Sequence, residues 1–157
     1  MSVTIITLNE AAHIDALCGG IRSAMGPRQY VVCFVDDGST DGTAEYLRSL
    51  ALVDPARVHL ITRRKMMRGS QRGSALYAAL QWALSDSDVG YVVEMDGDLS
   101  HRPEELPIGL DLLASGVCDV AIASKYRPGS TVTNRPAARR AVSFVGNQIV
   151  RWLLTRR

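Results

Sequence analysis

The 157-residue sequence predicts an α/β protein with a mostly parallel sheet and helices on both faces. Short apolar runs of strand length alternate along the chain with longer segments whose apolar residues recur at helical spacing. Two of these runs end abruptly in acidic residues, at Asp36-Asp37 and at Asp96-Gly97-Asp98. The runs are continuously apolar, which is typical of strands that are covered on both faces of a parallel sheet.

The first half of the chain predicts three strands and two helices. Ile14, Leu17 and Ile21 recur on one helical face, and Leu47 and Leu50 lie on the apolar face of the next helix. The predicted elements are, in order, a strand at 3–8, a helix at 10–25, a strand at 30–35, a helix at 43–51 and a strand at 58–61.

The second half continues the alternation. Leu76, Leu80 and Leu84 are spaced by four, as on one side of a helix. Pro103 precedes two glutamates, and both features favour a helix start, because acids suit the positive end of the helix dipole. The predicted elements are a helix at 73–84, a strand at 89–95, a helix at 103–114, a strand at 118–123 and a helix at 137–154.

Two segments between these elements predict loops. Segment 63–73 is basic and leads into a helix N-terminus, which fits either an anion-binding loop or a solvated one. Segment 126–136 contains prolines, glycine and threonines that favour a loop. The last helix has a wide apolar face edged by arginines. It fits either a cover for one face of the sheet or a helix at a membrane interface.

The composition favours one domain spanning residues 1–157, with an ordinary 46% apolar and 22% charged residues. No run approaches the roughly 18 apolar residues of a membrane span, and the N-terminus lacks the basic region of a signal peptide. The three cysteines lack metal-ligand spacing, so we expect a reducing, cytoplasmic location. Neither a P-loop nor a dinucleotide fingerprint is present, which argues against an NTPase or a dehydrogenase.

The net charge of +2 hides a strong asymmetry along the chain. Residues 120–157 contain eight basic and no acidic side chains, whereas the remainder has 10 basic and 16 acidic ones. The acidic part before residue 120 suits a metal ion, and the basic part at 120–157 suits anionic groups. Those groups are phosphates of a small molecule, a membrane surface or nucleic acid.

The acidic strand ends predict a polar crevice. Asp96 and Asp98 are two residues apart, so an extended chain places both carboxylates on one side. Oxygen ligands of this kind suit Mg²⁺ or Mn²⁺, although Asp-Gly is also ordinary turn chemistry. Asp36 and Asp37 end a second strand. Because ligands of open α/β sheets bind beyond the carboxyl ends of the strands, both pairs are expected to face one site.

Four motifs in order along the chain resemble those of GT-A, family 2 glycosyltransferases, and most of all the polyprenyl-phosphate (dolichol-phosphate) mannosyltransferases. They are Asp-Asp-Gly-Ser from Asp36, Met-Asp-Gly-Asp-Leu-Ser-His from Met95, Ala-Ser-Lys-Tyr from Ala123, and Arg139, Ser143 and Asn147 spaced by four. The resemblance implies the Rossmann-like GT-A fold of nucleotide-diphospho-sugar transferases. It covers nearly the whole chain, and its two acidic motifs are specific together.

The resemblance also implies an activity and its partners. The expected reaction moves a sugar, mannose from GDP-mannose, to a polyprenyl or dolichyl phosphate at the cytoplasmic membrane face, with Mg²⁺ or Mn²⁺ as cofactor. Peripheral membrane contact and a partner subunit or homo-oligomer are further expectations, and no nucleic acid is expected. No acid follows Asp119 to serve as a base. A phosphate acceptor needs none, because it is largely dianionic at neutral pH.

Individual roles follow by resemblance from the matching positions. The residues expected around the donor are Glu10, Val35, Asp36, Asp37, Asp96, Gly97 and Asp98. The expected metal ligands are Asp96, Asp98 and Ser100, and the expected catalytic residues are Asp98, Lys125 and Arg139.

Three departures from the family pattern are evident. Leu8 stands where the family has an aromatic residue, which puts packing of the base in doubt. Lys125 stands where arginine is usual and lacks its planar fork. The chain is also shorter than family members, so we expect it to lack a C-terminal acceptor-side portion.

Three other functions fit parts of the pattern. One is a family 2 glycosyltransferase that uses UDP-glucose or another sugar nucleotide. A second is a truncated, non-catalytic domain that binds a nucleotide sugar. A third is a receiver-like phosphoacceptor domain, which also places acids, a serine and a lysine at strand ends. Receivers carry their acid pair after the first strand, however, whereas here it follows the second.

Overall fold

Four parallel strands form the central sheet of the structure, which is a computed structural model. The structure describes residues 1–64, 71–125, 130 and 137–154, and at 137–140 it describes the backbone alone. The described chain falls into two units, Met1–Ala121 and Ile122–Arg157, and each is considered by itself. The single domain expected from the sequence stays a prediction. Most of the two predicted loops, at 65–70, 126–129 and 131–136, lies outside the described residues.

The strands of the first unit are β1 (Ser2–Thr7), β2 (Val31–Asp36), β3 (Val58–Thr62) and β4 (Val92–Asp96), in the sheet order β3-β2-β1-β4. Every pairing is parallel, as the sequence predicts. The register places Thr7 beside Asp36 and Ile6 beside Asp96. The carboxyl ends of β1, β2 and β4 therefore lie side by side, and both acidic motifs leave the sheet at the same edge.

The helices are α1 (Ile14–Met25), α2 (Thr43–Val53), α3 (Arg72–Leu84) and α4 (Leu106–Ala114) in the first unit, and α5 (Ala137–Leu154) in the second. A short 3₁₀ turn, Pro103–Glu105, precedes α4. The predicted helix at 103–114 therefore starts later as a regular α-helix. The reason is Pro107, which has no N–H to donate to the carbonyl of residue 103.

Alternating strand residues build a core on each side of the sheet. On one side Val3, Ile5 and Phe34 are fully buried, together with apolar residues of α1, α2 and α4. On the other side Cys33 and Val35 are buried in a smaller cluster with the alanines of α3. Helices thus cover both faces of a parallel sheet, and this prediction is confirmed.

The predicted strand at 118–123 is wrong. The structure shows no strand there, and Val120 and Ile122 are 72% and 83% exposed. The apolar composition favours an extended chain, but a strand forms only where a neighbour pairs with its backbone groups. None of the described strands pairs with this segment.

The beginning of the first helix also differs from prediction. The sequence favours a start at Glu10, whereas α1 begins at Ile14. Asn9 has a φ of 59°, and the His13 N–H donates to the Glu10 carbonyl at 2.9 Å. The chain therefore makes a turn before the helix, which leaves Glu10 at the end of the sheet.

The second unit contains α5, whose bounds match the predicted helix. Its large apolar side chains are exposed; Phe144 is 64% and Trp152 is 52% accessible to solvent. Among the residues that the structure describes, no helix combines the length and the hydropathy needed to cross a bilayer.

The contact between α1 and the 3₁₀ turn gives a test of the packing. A Cβ added at Gly20 would lie 3.0 Å from Pro103 Cγ, whereas one added at Gly19 meets nothing within 4 Å. Gly19→Ala should stabilise the helix by roughly 0.5–1 kcal/mol. In Gly20→Ala the added methyl overpacks this contact, so its free energy of unfolding should be roughly 1–3 kcal/mol lower than that of Gly19→Ala. The measurement is urea denaturation, in which Gly20→Ala should unfold at the lower urea concentration. Equal stability of the two variants would contradict the packing.

Candidate active site

A cavity of about 210 Å³ lies at the carboxyl ends of β1 and β4. Ligands of open α/β sheets bind at this end of the strands. A larger cavity of about 350 Å³ lies between α2 and β3, but no carboxylate lines it. The smaller cavity is lined by carboxylates of both acidic motifs. Its walls are formed by Ile6, Leu8, Glu10, Asp37, Arg72, Asp96, Gly97 and Asp98.

Gly97 allows the turn after β4 to lie directly against the end of β1. A Cβ at this position would come within 3.2 Å of Thr7 Cγ2 and 3.4 Å of the Ile6 carbonyl oxygen. Leu99 then takes a φ of 60°, an unusual conformation for a leucine. The chain is thereby folded back within a few residues, so that Asp96 and Asp98 both reach the cavity.

Ser100 lies beside both carboxylates of this turn. Its backbone N–H donates to Asp98 Oδ1 at 2.9 Å, and its hydroxyl oxygen lies 3.4 Å from Asp96 Oδ2. Hydrogen bonding by Ser100, through its hydroxyl first and its backbone N–H second, lowers the pKa of Asp98. Asp98 therefore stays ionised to lower pH than an ordinary aspartate.

Asp96 is held by two residues, Arg72 and His101. Arg72 Nη1 contacts its Oδ1, and His101 Nε2 lies 3.8 Å from its Oδ2. The backbone N–H of Asp96 donates to His101 Nδ1 at 3.1 Å, which leaves the ring proton of a neutral His101 on Nε2. His101 thus orients the turn, as a group that bridges its backbone and its carboxylate.

The two acids after β2 have different surroundings. Asp36 is 1% exposed, and its Oδ2 accepts the N–H groups of Gly38 and Ser39 at 3.2 Å each. Asp36 therefore shapes the turn, and its Oδ1 has no hydrogen-bond partner among the described residues. Asp37 lines the cavity, where Arg63 Nη1 lies 3.0 Å from its Oδ1.

A hydrogen-bond network fixes the loop that carries Glu10. The Glu10 N–H donates to Thr43 Oγ1 at 3.0 Å, and Asp41 accepts both the hydroxyl and the N–H of Thr43. The Thr43 hydroxyl is the main cause of a lowered pKa at Asp41. Asn9 adds a second link, because its Oδ1 accepts the N–H of Thr40 at 2.9 Å. The loops after β1 and β2 are therefore tied together at the rim of the cavity.

The structure brings together most of the predicted donor site. Glu10, Asp37, Asp96, Gly97 and Asp98 line one cavity, as the two acidic motifs predict. The roles assigned to these residues remain predictions.

Other predicted site residues lie elsewhere. The Val35 side chain packs in the smaller core cluster, and Asp36 lies beneath the turn. Lys125 is exposed in the second unit, and the side chain of Arg139 is outside the described part of the chain.

Arg72 is a cavity residue to which the sequence motifs assign no role. It lies in the predicted basic loop 63–73, for which an anion-binding role and a solvated one were both open. The structure places it at the first position of α3, in contact with Glu94 and Asp96. The signal in the sequence was an arginine at a helix start where acids are normally favoured.

The donor set at the turn fits a divalent cation that shares its ligands with a substrate. Within the described ranges, no group of three or more His, Cys, Asp or Glu side chains forms a metal-binding cluster. Asp96 and Asp98 nevertheless offer carboxylate oxygens beside the Ser100 hydroxyl. Mg²⁺ usually takes one or two carboxylates and fills its other positions with water and substrate phosphates.

Comparison with known sequences gives the relatives of this chain. It is 41% identical over 154 residues to the polyprenol monophosphomannose synthase of Mycolicibacterium smegmatis, covering 97% of this chain and 55% of the relative. It is 35% identical over 155 residues to the undecaprenyl-phosphate mannosyltransferase of Micrococcus luteus, covering 97% and 59%. The chain thus spans little more than half the length of these relatives.

Solved structures confirm the GT-A fold class. A mannosyltransferase from Pyrobaculum calidifontis, solved in complex with GDP-Man and Mn²⁺, matches with a TM-score of 0.52 and 29% identity over 72% of this chain and 32% of the other. S. aureus TarS matches with a TM-score of 0.53 at 21% identity, over 73% and 32% of the two chains, and supports the fold alone. The family model for glycosyl transferase family 2 matches residues 2–156, and the chain therefore belongs to this family.

Proposed function

We propose that the protein transfers mannose from GDP-mannose to a polyprenyl phosphate at the cytoplasmic membrane face, with Mg²⁺ or Mn²⁺ as cofactor. The observation that carries this proposal is the turn after β4. It brings Asp96 and Asp98 into one cavity with Glu10 and Asp37. The relatives support the choice of sugar and acceptor, because those named above are a phosphomannose synthase and a mannosyltransferase that act with polyprenyl phosphates.

The donor occupies the cavity in this proposal. Asp98, to which the Ser100 N–H donates, would hold the divalent cation together with Asp96 and the Ser100 hydroxyl. When bound there, the cation would supply positive charge to the diphosphate of the leaving group. Asp37 and Glu10 line the rest of the cavity and receive the nucleoside. Val35 and Asp36 support them from the end of β2. Leu8, also in the wall, gives an apolar contact for the base without an aromatic ring.

The chemistry balances without a general base. An oxygen of the acceptor phosphate forms a bond to the anomeric carbon as the bond from that carbon to the GDP oxygen breaks. The acceptor phosphate is largely dianionic at neutral pH, so no proton has to be removed before attack. Lys125 and Arg139 are proposed to meet the phosphate oxygens, as the family resemblance implies. Removal of GDP leaves the mannosyl phosphate attached to the lipid.

Helix α5 supports the proposed contact with the membrane. Its apolar side chains, such as Phe144 and Trp152, are exposed, and Arg151 lies in its last turn. Apolar side chains together with basic ones suit the surface of an anionic bilayer, where each basic residue contributes about 1 kcal/mol. A helix of this kind would bring the chain to a lipid-linked acceptor.

Asp98→Asn should lower the rate of mannose transfer by roughly 10²–10³-fold, because it removes a carboxylate that would hold the cation, and the cation would stabilise the leaving diphosphate. The measurement is transfer of radiolabelled mannose from GDP-mannose to polyprenyl phosphate, with circular dichroism to show that the fold is kept. Asp88→Asn is the matched control, since Asp88 is exposed and precedes the opposite end of β4. Turnover at the normal rate in Asp98→Asn, or in the presence of EDTA, would exclude this mechanism.

Ser100→Ala should raise the pKa of Asp98 toward its ordinary value, because the hydroxyl that lowers it is lost. Carboxyl ¹³C resonances followed by NMR between pH 2 and about 6 in the metal-free chain would show this, since model aspartate titrates near 3.9. The sign follows from the depressed pKa: the ionised form of Asp98 persists to lower pH in the wild-type chain than in the variant. Ser87→Ala is an exposed serine control. An unchanged Asp98 titration would show that Ser100 does not tune this acid.

A further inference from the structure

Arg72 connects the start of α3 to the end of β4 through two carboxylates. Its Nη2 lies 2.7 Å from Glu94 Oε1, and its Nη1 contacts Asp96 Oδ1. Glu94 and Asp96 are two residues apart on one strand, so their side chains share a face of the sheet. The planar fork of a guanidinium matches two acceptors at once, which a lysine ammonium does not.

The position of this arginine is set by the acids and not by the helix. A positive charge at a helix N-terminus is disfavoured by the helix dipole. No side chain caps α3 at Gln71, and Arg72 is its first residue. The hydrogen bond with Asp96 is the main cause of a raised pKa at Arg72, with a smaller contribution from Glu94. Since an arginine is charged at any ordinary pH, its guanidinium partly offsets the charge of Glu94 and Asp96.

The ion pair makes the two acids of the turn unequal. Asp96 Oδ1 is fully buried at the contact with Arg72, and Asp96 Oδ2 faces Ser100 and His101. Asp98 is exposed, and its Oδ1 accepts one backbone N–H from Ser100. In this state the Asp98 carboxylate is open to a cation, whereas the Asp96 carboxylate is already paired with the Arg72 guanidinium.

We propose that Arg72 is the resident counter-cation of Asp96, which a divalent metal ion must displace before Asp96 and Asp98 hold that ion together. The inference rests on the proposed function in that it concerns the metal ion invoked there. Arg72 occupies the carboxylate that the cation needs, and its own positive charge repels the cation at close range. The chain therefore binds the free metal ion weakly for a site with two aspartates.

The test is calorimetric titration of Mn²⁺ into the full chain and its variants, without any nucleotide. Arg72→Gln removes the charge and should lower the Kd for Mn²⁺ about tenfold, as expected when one nearby like charge is lost. Arg72→Lys keeps the charge and should stay close to the wild type. Arg28→Gln is the control for net charge, because Arg28 pairs with Asp111, away from the cavity.

Tighter binding in Arg72→Gln alone supports the proposal, and mere damage to the fold would instead weaken binding. Circular dichroism checks the fold, and Arg72→Met, which keeps the apolar stem, replaces the glutamine variant if that one does not fold. The proposal is overturned if Arg72→Gln binds Mn²⁺ no more tightly than the wild-type chain. It is also overturned if neither chain binds Mn²⁺. Equal tightening in Arg72→Lys or Arg28→Gln also overturns it. If the protein fails to transfer sugar, the proposed function is wrong. The comparison of Mn²⁺ affinities does not depend on that result, because it is made without nucleotide.

Discussion

The parallel register of the sheet is the constraint on which the candidate site depends. Ile6 lies beside Asp96 and Thr7 beside Asp36, so two acidic motifs sixty residues apart in the chain leave the sheet at one edge. A shift of one residue would turn every side chain of a strand to the opposite face. The buried faces prevent such a shift, because Val3, Ile5 and Phe34 are fully enclosed on one side of the sheet.

Bringing acids together at one edge costs electrostatic energy, and the chain offsets that cost with two arginines. Arg63 pairs with Asp37 at the end of β2, and Arg72 pairs with Asp96 at the end of β4. Neither of these two arginine pairs includes Asp98, whose Oδ1 accepts the Ser100 N–H. The carboxylates of the cavity are thus only partly offset by arginines, and Asp98 remains exposed, which suits the proposed binding of a cation together with a charged substrate.

The sequence predicts the fold well wherever burial is periodic. Nine of the ten predicted elements exist in the structure, with ends shifted by a few residues. The missing one, the strand at 118–123, depended on a pairing partner that local composition does not reveal. The same limit applies to the site: the acids could be placed at strand ends from their positions, but the pairing of Arg72 with Glu94 and Asp96 required the crossing of α3 over the sheet. Such contacts between distant segments follow from tertiary structure and not from spacing.

The measurement that tests the central claim most directly is calorimetric titration of GDP-mannose into the chain, with and without Mn²⁺, with UDP-glucose as the competing donor. A nucleotide-sugar site built on the two acidic turns should bind GDP-mannose only when Mn²⁺ is present, and in preference to UDP-glucose. Absence of binding by either donor, or binding that is unaffected by Mn²⁺, would contradict the assignment of this cavity as a metal-assisted donor site.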